Sequence, residues 1–193
     1  MKLLSCQSAD GGNYLAALVD GRVIDLHAAS HGEIPGDMLS FLQAGAPAMR
    51  RAQALIETEP GGPALDTVKL LSPITNPSKV IAIGLNYADH VRESGIPTPD
   101  VAAMFCKYPS SIIAHGDEIR WSGALTQQVD YEAELAVVIG KTARKVSEAD
   151  AYDYIAGYTN CNDVSARDLQ FTPGDQWLRG NVLRNDRSTS HCP

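Results

Sequence analysis

The sequence predicts an α+β fold that is mostly β, with a small α+β N-terminal domain over residues 1–72 and a strand-rich second domain over residues 73–193. The composition is typical of a globular protein, since 44% of the 193 residues are hydrophobic and 20% are charged. Pro73 and Pro77 mark the point where the sequence changes character. From Lys79 onward, short apolar runs bounded by glycine or proline dominate, which is typical of strands.

The N-terminal region contains a predicted hairpin and two predicted helices. Asp20 and Gly21 lie between the apolar runs Tyr14–Val19 and Arg22–Leu26, and Asp-Gly between such runs predicts a β-hairpin. Apolar residues at near-helical spacing then predict helices within 38–42 and 48–56. No candidate for chemistry occurs in this part, so we predict a packing or capping role for it.

The second region alternates short strands with short helical segments. Strands are predicted over Val80–Gly84, Ala133–Ile139 and Ile155–Cys161. A helical segment is predicted over Asn86–Glu93, with a stop at Gly95. The capping pattern of Ser147–Asp150 predicts a second segment that runs toward Tyr154. A third segment is predicted over Ser165–Gln170.

Charge and composition exclude several classes of partner. The net charge of −7 argues against nucleic acid and against an anionic membrane as partners, because both would repel the chain. No apolar run approaches the ~20 residues of a membrane span. Four cysteines without a CxxC pair predict reduced thiols and a cytoplasmic location. No GxGxxG or P-loop motif supports nucleotide binding.

Three carboxylates form the first candidate site. Glu132 and Glu134 lead into an apolar strand, and the period of two places both on one face. Asp163 ends the next predicted strand, and it would join them if the two strands are neighbours. Oxygen ligands select a hard cation, Mg²⁺ or Mn²⁺ or else Ca²⁺, over zinc. The alternatives are a solvated strand end for the glutamates and an N-cap for Asp163.

A histidine and a glutamate form the second candidate. His90 and Glu93 are i and i+3 on a predicted helix and would face the same side. A carboxylate bonded to one imidazole nitrogen raises the basicity of the other, as a general base requires. The alternative is a surface pair on an exposed helix.

Four sequence blocks carry a resemblance to a known family. They occur in one order and at a characteristic spacing, over Ile83–His90, Phe105–Ser110, Asp130–Gly140 and Gly157–Gln170. Together they resemble the fumarylacetoacetate hydrolase family over about residues 79–180.

The resemblance implies a mixed β-sandwich or β-roll catalytic domain and assigns roles to particular residues. Glu132, Glu134 and Asp163 match the Mg²⁺ or Mn²⁺ ligands, and His90 with Glu93 matches the pair that activates water. The two substrate-binding positions it implies are Lys107 and Gln170. A salt bridge for the lysine and helix-end packing for the glutamine are the alternatives.

The resemblance also implies an activity. We expect a metal-dependent hydrolase or lyase that cleaves a C–C bond in a dicarbonyl or 2-oxo acid, such as a fumarylacetoacetate-like or acylpyruvate-like substrate. The family also contains isomerases, decarboxylases and ureidoglycolate lyases, so the fold does not fix the reaction. A small oxo acid as substrate and a homodimer follow from the resemblance.

The sequence departs from the family pattern after Gly180. A lysine normally follows at this point, and here the residue is Asn181. Residues 181–193 lack the family pattern, so we expect an incomplete catalytic domain with a non-native tail, from a truncation or a frameshift. The alternative reading of function is therefore a catalytically impaired fragment.

Overall fold

The computed structural model describes residues 1–59, 61–171, 177–181 and 190–191. Within these residues the chain is an α+β protein with mostly strands and few helices, which confirms the predicted fold class. None of its described helices combines the length with the apolar character that crossing a membrane requires.

An antiparallel sheet and two α-helices organise the described part of the N-terminal region. Its strands are β1 (Lys2–Gln7), β2 (Asn13–Val19), β3 (Arg22–Asp25) and β4 (Lys69–Leu70), in the order β3-β2-β1-β4. The helices are α1 (Leu26–Ala29) and α2 (Met38–Thr58). The predicted hairpin joins β2 to β3, and both of its turn residues have positive φ, 47° at Asp20 and 76° at Gly21.

The two predicted helices are the two halves of α2. They meet at Gly45, whose φ of 66° and ψ of −148° break the helical path. Pro47 lies just beyond the break, where its missing N–H costs no helical hydrogen bond. At the start of α2, the Asp37 carboxylate accepts a hydrogen bond from Ser40 N at 2.9 Å.

The core of the N-terminal region lies between the sheet and α2. Leu15 on β2 and Phe41 on α2 are almost completely buried, and Ala52 packs with them. Period-two alternation sends Ala16 and Val23 to the opposite sheet face, where they pack with Cys6. Both faces of this small sheet therefore bury apolar groups.

The described residues of the second region form three further sheets. Its strands are β5 (Val80–Gly84), β6 (Ala103–Lys107), β7 (Ile112–Ile113), β8 (Val129–Asp130), β9 (Ala133–Ile139), β10 (Ile155–Asp163), β11 (Ser165–Ala166) and β12 (Ser190–His191). β5 pairs with β6 and β8 with β11, both antiparallel, and the third sheet has the order β7-β12-β10-β9. The helices are α3 (Ala88–Ser94), α4 (Arg167–Gln170) and α5 (Leu178–Asn181).

Several predicted elements differ from the structure in detail. The helix expected from the capping pattern is a 3₁₀ helix over Ala151–Tyr154, because β10 begins at Ile155 and leaves room for a single turn. Ser165 belongs to a strand rather than to the predicted helical turn. Most of the tail predicted over 181–193 lies outside the described residues, so that expectation and the division into two domains stay predictions.

Candidate functional site

Three carboxylates meet where β9 begins and β10 ends. The two strands are antiparallel with Glu134 opposite Cys161, and Asp163 N donates to Glu132 O at 2.9 Å. Opposed residues of antiparallel strands share a face. One carboxylate oxygen each from Glu132, Glu134 and Asp163 therefore lies within 4.8 Å of the other two. The structure thus brings together the three residues that the sequence singled out.

Two cations balance part of this negative charge. Lys107 at the end of β6 forms an ion pair with Asp163, and both residues are 3% exposed. Arg167 Nη1 contacts Glu132 Oε1 at 2.6 Å, while its Nη2 and Nε contact Asp130 Oδ2 at 2.8 and 3.0 Å. No ion pair within the described residues involves Glu134. Four carboxylates and two cations leave two formal negative charges at the site.

Burial and like charge disfavour ionisation at this cluster. Burial, with the nearby charges of Asp163 and Glu132, raises the pKa of Glu134 to about 7, although Lys107 opposes the shift. Burial also raises the pKa of Asp163, and the Lys107 ammonium partly offsets this effect. A divalent cation would remove the same repulsion, and all three donors are oxygens. The residues present therefore fit a hard divalent cation such as Mg²⁺ or Mn²⁺.

A small cleft with a cavity volume of about 70 Å³ lies beside the carboxylates. Its lining includes Glu132 and Glu134 together with His90 of α3 and Gln170 of α4. Apolar and aromatic side chains complete the wall, among them Phe105, which packs edge-to-face on Trp177 at 5.9 Å between ring centroids. The cleft thus combines charged groups with an apolar wall, as small-molecule sites do.

The other predicted site residues occupy different positions around this cleft. His90 and Glu93 are both exposed on α3, and no hydrogen bond or ion pair joins them in the described part of the chain. Glu93 does not line the cleft, and Lys107 lies behind the carboxylates in its ion pair with Asp163. Gln170 is buried, and its Oε1 accepts a hydrogen bond from Arg167 Nη1 at 2.9 Å. The assigned roles of these four residues stay predictions.

Sequence reasoning missed two residues that shape the site. Arg167 contacts Glu132, Asp130 and Gln170 at once. Tyr87 precedes α3, and its Oη accepts a hydrogen bond from Leu135 N at 3.0 Å, which ties that helix to β9. No local pattern indicates either contact, because the partners are distant in the sequence.

Comparisons with known proteins identify the family to which the chain belongs. The family model described as "Fumarylacetoacetate (FAA) hydrolase C-terminal" matches residues 79–191, more than half of the chain. "Oxaloacetate tautomerase fahd2, mitochondrial" of Xenopus laevis is 41% identical over 187 residues, which cover 95% of this chain and 58% of that relative. The chain therefore spans little more than half the length of that curated relative.

Two solved structures share the fold. Fumarylacetoacetate hydrolase from Exiguobacterium antarcticum is 32% identical with a TM-score of 0.71, over 95% of this chain and 62% of that one. Maleylpyruvate hydrolase from Sphingobium sp. SYK-6, in complex with manganese(II) and pyruvate, is 20% identical with a TM-score of 0.76, over 100% of this chain and 65% of that one. The family match and the shared fold together show that the chain belongs to the fumarylacetoacetate hydrolase family.

Proposed function

We propose that the chain holds a divalent cation at Glu132, Glu134 and Asp163 and catalyses proton transfer next to the carbonyl group of a 2-oxo or dicarbonyl acid. The observation that carries this proposal is the convergence of three carboxylates, two of which line the cleft, with two formal negative charges left over. Two negative charges would repel an acidic substrate, and a bound divalent cation would remove that repulsion. The donor set favours Mg²⁺ or Mn²⁺, with Ca²⁺ as the alternative.

Each group at the cleft then has a chemical task. A bound cation supplies Lewis-acid stabilisation of the negative charge that develops on the substrate oxygen. His90 lines the cleft and is exposed, so its imidazole can take up and return a proton. Because Arg167 occupies Oε1 of Gln170, the amide Nε2 is left to donate to a substrate carboxylate. Glu93 is proposed to orient the imidazole, as its i+3 spacing suggests.

Two reaction classes use a proton that His90 takes up and returns. Tautomerisation moves this proton between a carbon and an oxygen of the substrate, whereas hydrolysis takes it from a water molecule that adds to a carbonyl carbon, and the proton returns to the enolate released when the C–C bond breaks. Tautomerisation of a 2-oxo acid is the first candidate, since the 41% identical relative carries the name oxaloacetate tautomerase. Hydrolytic C–C cleavage is the second, since the 32% identical structure is a fumarylacetoacetate hydrolase. The more distant maleylpyruvate hydrolase contributes the fold alone, so the choice of metal depends on the donor set.

The remaining expectations from the sequence stand as part of this proposal. They are a small oxo acid as the substrate, a homodimer as the assembly, a cytoplasmic location, and neither nucleic acid nor a membrane as partner. Size-exclusion chromatography with light scattering tests the dimer directly. A monomer at micromolar concentration would contradict that expectation.

Metal binding is tested by titrating the purified chain with Mn²⁺ and comparing two variants. Glu134→Ala removes one ligand, so we expect affinity to fall at least about tenfold and metal-dependent activity to be lost. Glu148→Ala removes an exposed carboxylate outside the cluster and should bind like the wild type. Equal affinity in all three proteins would contradict the assigned ligands.

The role of His90 is tested by separating turnover from metal binding. We expect His90→Ala to reduce turnover by about 10²–10⁴-fold and to leave Mn²⁺ affinity unchanged. His115→Ala is the matched control, because His115 is also exposed and does not line the cleft. A loss of Mn²⁺ binding in His90→Ala would show that the roles are assigned wrongly.

The reaction class is tested with two substrates under saturating Mn²⁺. Faster loss of the enol absorbance of oxaloacetate indicates a tautomerase, whereas release of pyruvate from an acylpyruvate indicates a C–C hydrolase. A chain that binds Mn²⁺ and changes neither substrate would support the alternative of an impaired relative.

A further inference from the structure

The ion pair between Lys107 and Asp163 is more deeply buried than the ion pair that Arg167 forms with Glu132. Glu132 contacts a half-buried arginine that it shares with Asp130, and Glu134 has no ion-pair partner within the described residues. Lys107, in contrast, is 3% exposed and reaches Asp163 from β6, which belongs to a different sheet from β9 and β10. A buried ammonium at this place requires a physical reason, because removing it from water is costly.

We propose that Lys107 is a built-in counter-ion of the carboxylate cluster, which holds the cation-free site together and competes with the divalent cation for Asp163. This inference rests on the proposed metal site and goes beyond it, because it assigns a role to a residue behind the ligands. Lys107 is thus a positioning residue and not a catalytic one, since it acts on the ligand and does not line the cleft.

The argument begins with the charges. Three carboxylates within 4.8 Å repel one another, and Asp163 is the most buried of them, so it loses the most solvation. Lys107 supplies one positive charge where solvent cannot screen the interaction. The strands β9 and β10 can therefore stay paired at Glu132–Asp163 before any cation binds.

The same contact has a consequence for binding. A divalent cation at the cluster would be repelled by the neighbouring ammonium and would share the Asp163 carboxylate with it. Lys107 should therefore weaken the affinity of the loaded site while it stabilises the empty one. A purely structural lysine would stabilise the empty and the loaded site equally. It would therefore leave the affinity for the cation unchanged.

The test compares Lys107→Met with the wild type in EDTA and in saturating Mn²⁺. In EDTA we expect the melting temperature to fall by about 6–20 °C, because Asp163 loses its buried partner. In saturating Mn²⁺ we expect at least about half of that loss to be recovered, and the apparent Mn²⁺ affinity to rise about tenfold. Lys79→Met, a change at an exposed lysine next to β5, is the matched control and should show neither effect.

Three results would overturn the proposal. They are a loss of melting temperature that is equal with and without Mn²⁺, an Mn²⁺ affinity that falls in Lys107→Met, and an unchanged melting temperature in EDTA. The Mn²⁺ affinity separates the two roles, because the loss of a merely structural lysine would not raise it.

A second variant keeps the proposal testable if Lys107→Met does not fold. Replacing both partners, as Lys107→Met with Asp163→Asn, removes the buried charge that lacks a counter-ion. In EDTA the double variant should regain most of the lost melting temperature, and a double variant as unstable as the single one would contradict the proposal. If the wild type shows no Mn²⁺-dependent shift, the proposed metal site fails, and these EDTA measurements still decide the role of Lys107.

Discussion

The two halves of the molecule bury different kinds of groups. In the N-terminal region the most buried large side chains are apolar, with Leu15, Leu26 and Phe41 at 0–1% exposure. In the second region the most buried groups include the charged pair Lys107 and Asp163. One face of β9 is exposed to solvent. Its large apolar residues are about half exposed, and they are Leu135, Val137 and Ile139.

This difference shows which forces each region depends on. Burial of apolar groups stabilises the first region, and this contribution is insensitive to dissolved cations. The second region holds a cluster of like charges together, so its stability should respond to every change in nearby charge. Substitutions in the two regions should therefore differ in whether Mn²⁺ changes their effect.

The largest effect is expected in the N-terminal core. Phe41→Ala should lower the free energy of unfolding by about 3–5 kcal/mol, because it leaves a cavity among fully buried neighbours. Urea denaturation measures this loss, and we expect the same value in EDTA and in Mn²⁺. Leu39→Ala on the same helix is the control, since Leu39 is 46% exposed and should cost about 1 kcal/mol or less. A loss in Phe41→Ala that changes with Mn²⁺ would break the contrast between the regions.

A smaller effect is expected at the arginine beside the cluster. Arg167→Lys keeps the positive charge and removes the planar fork that holds Glu132, Asp130 and Gln170 together. Mn²⁺ affinity should therefore fall by about tenfold, or about 1.4 kcal/mol, while apo stability changes less. Calorimetric titration measures the affinity.

The control for this change is Arg120→Lys, which alters an exposed arginine paired with Glu118 away from the cleft. Unchanged Mn²⁺ affinity in Arg167→Lys would mean that the fork does not orient Glu132. Arg167 would then differ from Lys107, because the positive charge of Lys107 is expected to change the Mn²⁺ affinity.

The sequence predicted those parts of the site that depend on local geometry. Glu132 and Glu134 follow from the period of two in a strand, and Asp163 follows from the end of an apolar run. Likewise, Asp20 and Gly21 predict the hairpin, because both turn residues must adopt positive φ. Such features are fixed by neighbours along the chain.

Contacts between distant segments could not be predicted in this way. The pairing of β5 with β6 sends Lys107 toward the cluster, yet the alternation in β6 does not reveal which face is buried. The hydrogen bond from Leu135 N to Tyr87 Oη likewise joins residues 48 positions apart. These contacts depend on how sheets pack, and that information lies in the whole chain.

The smallest effect is expected at the start of α2, in the region governed by apolar burial. Asp37 caps this helix, so Asp37→Ala should lower the free energy of unfolding by about 1 kcal/mol at neutral pH. Hydrogen bonds from Ser40 lower the pKa of Asp37 below its ordinary value. A carboxyl whose pKa is lower in the folded state stabilises the fold above its unfolded pKa of about 3.9, and this contribution is lost as the pH falls through the folded value.

Asp37→Asn separates the hydrogen bond from the charge, because asparagine caps a helix as well as aspartate and does not titrate. We expect this variant to match the wild type at pH 7 and to lose less stability between about pH 5 and pH 2. Urea denaturation across that range measures the difference, and Mn²⁺ should leave it unchanged. An Mn²⁺-dependent effect at Asp37 would mean that the two regions are coupled energetically, so that neither could be altered without the other responding.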